Sequence, residues 1–378
     1  TKNNKLIGIP KKSLCKDYLN EKEYTQEEYN SLVNAAKTLD LHSLLDIYKN
    51  YLECDVRLLI DVLDNFNKTM VESYTIDKVK GNSPLWFYTI AGYTRSMAIK
   101  YVECVRSGLL KPQFLFNKLD WSDKKIKSAN ECINKFKQSN GIRLLNNGEE
   151  ELYNFINNSI QGGISYSLNK YANVKDGVQI EGYDCSSMYS RCLCEFIPFD
   201  IRFTNKFKNV EQINDHLKNC EDYDYLQYMF EVDIETNKNL SQFPCIPNKE
   251  ITLSGDVKLN LTNRNKEKVI IHQTALKLYV QLGCKITNVY RVAELACSPI
   301  YYMFIHKSLE LRSQAKSTFE SNLYKLVCNS LFGSSLLNSA NYATIQYLTN
   351  EKQIESVFNK VYQIQNVELN DIDGSLRV

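Results

Sequence analysis

The chain has 378 residues, and 46 Lys and Arg against 44 Asp and Glu give a formal net charge of +2. That length suits two or three domains, and the 43% apolar and 24% charged fractions are those of an ordinary globular protein. A near-neutral total excludes a uniformly basic, histone-like chain but leaves room for a local basic groove, and no window approaches the ~18 unbroken apolar residues of a membrane helix.

The first residues, Thr1-Lys2-Asn3-Asn4-Lys5, carry no secretory pattern and no initiator Met. A piece of a longer product is expected, located in the nucleus or cytoplasm and not secreted. From Leu44 to Phe66, Leu44, Leu45, Tyr48, Leu52, Leu59, Val62, Leu63 and Phe66 fall on one helical stripe. A second pattern with helical spacing runs from Asn82 to Leu110 and starts near Ser83-Pro84. Residues 117–150 are polar and charged and read as a surface insertion or a helix with loops. Gln161-Gly162-Gly163 breaks the pattern; Val178 to Asp184 reads as a strand, and a helix follows from Ser186. Strands are expected at Tyr225–Ile234, Val269–Ile271 and Ile286–Val292, then a long helical region from Tyr301 to Gly333. The twelve cysteines contain no C-x-x-C pair, the closest being Cys192 and Cys194. His42, His216, His272 and His306 do not cluster with them, which points away from zinc and towards reduced thiols.

Three runs carry candidate chemistry. Asp55 lies within roughly 20° of the centre of the first apolar stripe, with Tyr51 one turn earlier. It is either a buried carboxylate paired with an Arg or backbone donor, or a metal-binding carboxylate beside a Tyr that orients water. Asp184 ends the expected strand of Gly182-Tyr183-Asp184-Cys185-Ser186-Ser187-Met188-Tyr189-Ser190. It is either a turn cap or a ligand of a hard divalent cation next to a helix start. In the third run, Ser317 and Glu320 make a capping box, so a helix starts near Thr318, and Gly333 is a suitable stop. On that helix Lys325, Asn329 and Phe332 share one face, while Phe319, Leu323, Leu326 and Ser330 lie opposite and are expected to bury. The trio is either a solvated face or a nucleotide surface: cation for phosphates, amide for polar groups, ring for the base. Arg312 and Lys316 precede the helix, and a chain reversal near Ser317 would bring them towards Lys325.

Taken in order, these runs resemble the protein-primed branch of family B DNA polymerases, of the organellar, viral and self-synthesising transposon type. Tyr51-Leu52-Glu53-Cys54-Asp55 resembles the third exonuclease motif, Y-x-x-x-D. Gln161-Gly162-Gly163-Ile164-Ser165 is similar to the Gly-Gly motif between exonuclease and polymerase domains. Asp184 to Tyr189 resembles motif A, D-x-x-S-L-Y, and Lys325 to Gly333 resembles motif B, K-x-x-x-N-S-x-Y-G. The resemblance covers nearly the whole chain.

The resemblance implies an α+β fold on the right-hand polymerase plan, with partial palm and fingers and the C-terminal part of a ribonuclease H-like exonuclease domain. It divides the chain into 1–75 (end of the exonuclease domain), 76–175 (linker region), 176–200 (palm with motif A), 201–298 (an insertion resembling terminal-protein region 1), 299–335 (fingers with motif B) and 336–378 (start of a second insertion and palm). It implies Mg²⁺ or Mn²⁺ at Asp184, with Asp55 as the exonuclease metal ligand beside Tyr51. Tyr189 would stack under the incoming sugar, Lys325 would contact the triphosphate with Arg312 or Lys316, and Asn329 and Phe332 would flank the nascent base pair. Gly162 and Gly163 would let backbone approach the template strand. The implied partners are primer-template DNA, dNTPs and a terminal protein.

The sequence departs from the family in places. Ser190 stands where motif A ends in Pro, Phe332 where motif B has Tyr, Ser334 where a Lys often follows, and Gln161 where Arg is common. No D-x-E precedes Asp55, so proofreading by this chain is not expected; Asp233-Ile234-Glu235 has that pattern but reads as part of a strand. Asp371-Ile372-Asp373-Gly374 superficially matches motif C, yet it follows motif B closely and Asp-Gly reads as a hairpin turn. The expectation is a chain that stops before motif C. The competing reading is a decayed or domesticated fragment that binds DNA or a partner without synthesis.

Overall fold

The computed structural model describes residues 11–17, 22–112, 121–146, 148–160, 162–163, 171, 174, 179–237, 246–251, 255, 257–260, 264–337, 346–358, 367–369 and 376–377. The chain divides into two compact units, Thr1–Tyr93 and Thr94–Val378. Among the described residues no helix is long and apolar enough to cross a membrane.

The first unit holds a small antiparallel pair, β1 (Lys16–Asp17) and β2 (Lys22–Glu23), and two helices, α1 (Gln26–Thr38) and α2 (Leu44–Ser73). Thr25 starts α1 with a complete capping box to Glu28, and Ser43 starts α2 by accepting the Asp46 amide. The chain after α2 turns back on its last turns. The Thr75 hydroxyl donates to the Val71 carbonyl at 2.6 Å and accepts from the Gly81 amide at 2.9 Å. Only Gly fits at position 81, because a Cβ there would stand 2.4 Å from the Val71 oxygen. The expected buried stripe of α2 is a correction: Tyr48, Leu52, Leu59 (56% exposed) and Val62 face solvent, and Asp55 is exposed with them. Helical period establishes that one face is apolar, but covering it takes a neighbouring element.

The second unit is built on one antiparallel sheet. Its helices are α3 (Ile90–Arg106, which begins in the first unit), α4 (Asp123–Gln138), α5 (Glu150–Ser159), α6 (Met188–Leu193) and α7 (Val210–Asn219). The strands are β3 (Ile197–Phe203), β4 (Leu226–Glu235), the hairpin β5 (Asn248–Ile251) and β6 (Val257–Asn260), then β7 (Lys266–His272). After α8 (Gln273–Gln281) comes the long β8 (Lys285–Ser298), then α9 (Tyr302–Gln314) and α10 (Thr318–Ser335). The tail carries β9 (Tyr347–Leu348), α11 (Glu351–Phe358), β10 (Glu368–Leu369) and β11 (Leu376–Arg377), whose strands form their own small sheet. The main sheet has the order β3-β8-β4-β7. β8 pairs with β3 on one side and along the whole of β4 on the other, from Leu226 opposite Ala296 to Glu235 opposite Lys285.

Strand alternation sorts the two faces. Tyr228, Phe230, Val232 and Ile234 of β4 pack with Ile213 and Leu217 of α7 and Leu276 of α8. The opposite face, with Met229, Ile270 and Ala293, receives Phe155 of α5. Arg291 of β8 secures α5 there. It forms a bidentate pair with the Glu231 carboxylate at 2.6 and 3.1 Å and reaches Glu151 of α5 at 2.8 Å. At the β3 end, Phe199 and Ile300 pack with Val102 of α3 and Phe136 of α4. Of the two readings of 117–150, the helix with loops is the one found in its described part: α4 spans Asp123–Gln138, and Ala129, Cys132, Ile133 and Phe136 give it a buried face beneath its charged one.

Four further expectations change. No strand forms over the described residues 179–184, which lie exposed, with Tyr183 at 89%; without a neighbouring strand the backbone groups go to solvent. The helix beginning at Ser186 is only the short α6. Gly333 does not end α10, which runs on to Ser335, and the capping box is half-formed: Ser317 accepts the Glu320 amide, but the Glu320 carboxylate takes the Lys316 amide instead.

Gln273 knits this unit together from a fully buried position. Its side-chain oxygen accepts the Tyr228 amide at 3.0 Å and faces His216 Nε2 at 3.0 Å, and its amide nitrogen donates to the Glu221 carbonyl at 3.3 Å. Gln273→Leu should destabilise the fold by about 1–3 kcal/mol in denaturant unfolding, because buried backbone groups lose their partners; a change near zero would show that water replaces them. His272, the N-cap of α8, accepts the Thr274 amide through Nδ1. Burial pushes its imidazole from its ordinary 6.5 down to about 4. The unfolded chain takes up a proton below pH 6.5 that the fold refuses, so stability should fall as pH drops from 6.5 to 4. His272→Asn keeps a cap acceptor and should flatten that part of the unfolding-versus-pH curve.

Candidate functional site

The turn before α6, α6 itself, the end of α9 and one face of α10 meet in the second unit. Ser187 is the N-cap of α6 and holds φ 53°, ψ 39°, the left-handed region. For a residue with a Cβ that conformation costs about 1–2 kcal/mol. Its hydroxyl makes no capping bond to its own helix. It accepts instead from Arg312 Nη1 at 2.7 Å, in the last turn of α9.

Tyr189 and Phe332 stack face to face, with ring centroids 4.3 Å apart and planes within 4°. Ser190 and Cys328, each the neighbour of one site residue, are both buried. Burial pushes the Cys328 thiol up, against hydrogen bonds from Ser190 and Ser308 that pull the other way. The Ser308 hydroxyl also donates to the Phe304 carbonyl at 3.0 Å. A polar knot thus joins α6, α9 and α10, and Ser190, the residue in place of Pro, belongs to it.

On α10 the buried side is Tyr324, Val327, Cys328 and Leu331. This corrects the expected face: Phe319 is 72% exposed and Leu326 is exposed, because α9 and α6 approach from a different direction. Lys325, Asn329 and Phe332 remain neighbours at i, i+4 and i+7 spacing, the first two exposed and the ring half-buried by Tyr189. Among the described residues Lys325 and Arg312 have no carboxylate partner. Lys316 lies in the link between α9 and α10, with its side chain exposed and its amide bound to Glu320. Asp184 stands exposed three residues before Ser187.

The remaining predicted residues lie apart from this group. Gly162 holds φ +83°, which L side chains rarely adopt, so its backbone angle calls for glycine; among the described residues a Cβ there would meet Leu259, at 4.0 Å. Among the described residues nothing lies within 4 Å of a Cβ at Gly163, and Gln161, Ile164 and Ser165 lie outside the described residues. In the first unit the Tyr51 hydroxyl hydrogen-bonds the Asp55 carboxylate, which raises the phenol's pKa. Asp233 lies within β4: it accepts the Lys268 amide and the Tyr290 hydroxyl, each at 2.8 Å. Asp371 and Asp373 lie outside the described residues.

Among the described residues no group of three or more His, Cys, Asp or Glu could hold a metal ion. Asp184 alone offers one hard carboxylate, enough for a single ligand of a divalent cation but not for a whole site. Sequence reasoning missed Ser187, Ser308 and Cys328. An αL serine and a buried thiol–hydroxyl contact leave no periodic signal; only the Ser for Pro exchange at position 190 hinted at them.

Comparison with solved structures gives Phi29 DNA polymerase. Its orthorhombic crystal form matches at 16% identity and TM-score 0.35, over 72% of this chain and 47% of that one. Its complex with primer-template DNA matches at 15% and 0.31, over 72% and 46%. Its ternary complex with primer-template DNA and incoming nucleotide substrates matches at 16% and 0.33, over 74% and 46%. The chain spans about half the length of these structures. No curated protein sequence matches it. The model of the family described as DNA polymerase type B, organellar and viral, matches residues 2–372, and the chain belongs to that family.

Proposed function

We propose that this chain is the segment of a type B DNA polymerase that binds the incoming nucleotide and takes part in its transfer to a primer 3′-hydroxyl on a DNA template. The observation that carries the proposal is the parallel Tyr189–Phe332 pair, 4.3 Å apart, which joins the run resembling motif A to the run resembling motif B. Two rings on different elements, with an exposed Lys and Asn beside one of them, are the chemistry for a sugar, a base and a triphosphate.

In this reading Lys325 neutralises the triphosphate, with Lys316 or Arg312 adding positive charge. Tyr189 lies under the sugar, and Asn329 and Phe332 flank the nascent base pair. Phe332 keeps the ring of the family's Tyr without its hydroxyl. Asp184 would supply one oxygen ligand to Mg²⁺ or Mn²⁺. The cation, when bound, neutralises charge on the attacking and leaving oxygens of the in-line transfer. Gly162 and Gly163 let backbone approach the template strand. Residues 1–75 form the end of an exonuclease domain carrying Tyr51 and Asp55, residues 176–200 and 299–335 belong to palm and fingers of a right-hand plan, and 201–298 form a region that meets a terminal protein.

Primer extension by the intact protein tests this. Asp184→Ala should lower incorporation by about a hundredfold or more, since a lost cation ligand removes several kcal/mol of transition-state stabilisation. An unchanged rate would overturn the motif A assignment, and DNA binding without incorporation by the unmutated protein would favour a binding fragment. Lys325→Ala should raise the dNTP KM or lower kcat by about tenfold; normal kinetics would remove Lys325 from the triphosphate.

A further inference from the structure

We infer that Arg312 is a positioning residue that acts through Ser187: its hydrogen bond to the Ser187 hydroxyl holds the Asp184–Tyr189 turn in the shape the transfer needs. The inference rests on the polymerase reading and assigns Arg312 a role other than direct contact with the triphosphate.

Four observations lead there. Ser187 sits at φ 53° with a Cβ, a conformation that persists only when its surroundings impose it. A serine at an N-cap ordinarily spends its oxygen on its own helix amides. Ser187 does not, and that oxygen accepts from Arg312 Nη1 at 2.7 Å, across 125 residues of sequence. Arg312 has no carboxylate among the described residues to draw it elsewhere. The other ties between α6 and its neighbours, the Tyr189–Phe332 stack and the Ser190–Cys328 contact, hold the helix from residue 189 onward. Among the described contacts the Arg312 bond is the tie nearest Asp184, at the turn through which the exposed chain enters the helix. Apart from the Arg191 amide on the Ser187 carbonyl, no other described hydrogen bond holds Ser187, and its relaxation to the extended region would swing Asp184 relative to Tyr189.

The test is a double-mutant cycle in the intact protein, read by single-nucleotide incorporation kinetics and by amide hydrogen exchange over residues 184–193. Ser187→Ala and Arg312→Ala should each lower kcat about tenfold and leave the dNTP KM within about twofold, and the double variant should lose no more than the worse single. Exchange over 184–189 should accelerate equally in both single variants. An Arg312→Ala variant with a KM raised about tenfold beside a silent Ser187→Ala would overturn the inference and return Arg312 to the triphosphate. If Arg312→Ala fails to fold, Ser187→Ala decides alone, since it removes one oxygen: normal kcat and normal exchange overturn the inference. Failure of the polymerase reading looks different: the unmutated protein incorporates nothing, while the exchange data still test the tie between Arg312 and the turn.

Discussion

The second unit depends on the pairing of β4 with β8. These two central strands run antiparallel over their length, and every other layer is arranged by the side chains they present. Even-numbered β4 residues from Tyr228 to Ile234 hold α7 and α8, and the alternate face receives α5. Bulges between Glu231 and Val232 and between Asp233 and Ile234 shift the register without exchanging the faces. The buried Glu231 is tolerated because Arg291 meets both its oxygens, and the same guanidinium reaches Glu151 and lies over the Phe155 and Phe203 rings. One ion pair thus fixes the segment that leads to Gly162 and Gly163.

The candidate site is assembled at the other end of the same strand. β8 ends at Ser298, and α9 begins four residues later, returning through a short link as α10. That hairpin supplies Arg312, Lys316, Lys325, Asn329 and Phe332, while α6 supplies Tyr189. The contacts joining them differ in kind: a charged hydrogen bond, an aromatic stack and a buried thiol–hydroxyl knot. Each is directional, so together they define the approach of three helices more narrowly than apolar packing would.

Much of this was legible in the sequence. The helix expected at 44–66, the one expected from 318 to 333, and the strands expected at 225–234, 269–271 and 286–292 follow from local pattern, and the observed elements, 44–73, 318–335, 226–235, 266–272 and 285–298, coincide with or extend them. The motif order identified the polymerase family. Helical spacing alone brings Lys325, Asn329 and Phe332 together. The errors arose where an element needs a partner. The 179–184 run has strand composition but pairs with no strand among the described residues, α10 buries Tyr324 and Val327 rather than Phe319 and Leu326, and the apolar stripe of α2 carries Asp55 in the open.

Local periodicity and motif spacing therefore determined which segments are regular, which residues are candidates for chemistry, and which family the chain belongs to. Only the tertiary structure decided which faces are covered, that Tyr189 lies flat on Phe332, and that Ser187 adopts a left-handed turn facing Arg312. The physical reason is range. Backbone hydrogen bonding and side-chain spacing act within a few residues, and sequence reports them directly. Burial, ring stacking and a hydrogen bond spanning 125 residues depend on where distant segments come to rest, which no local pattern encodes.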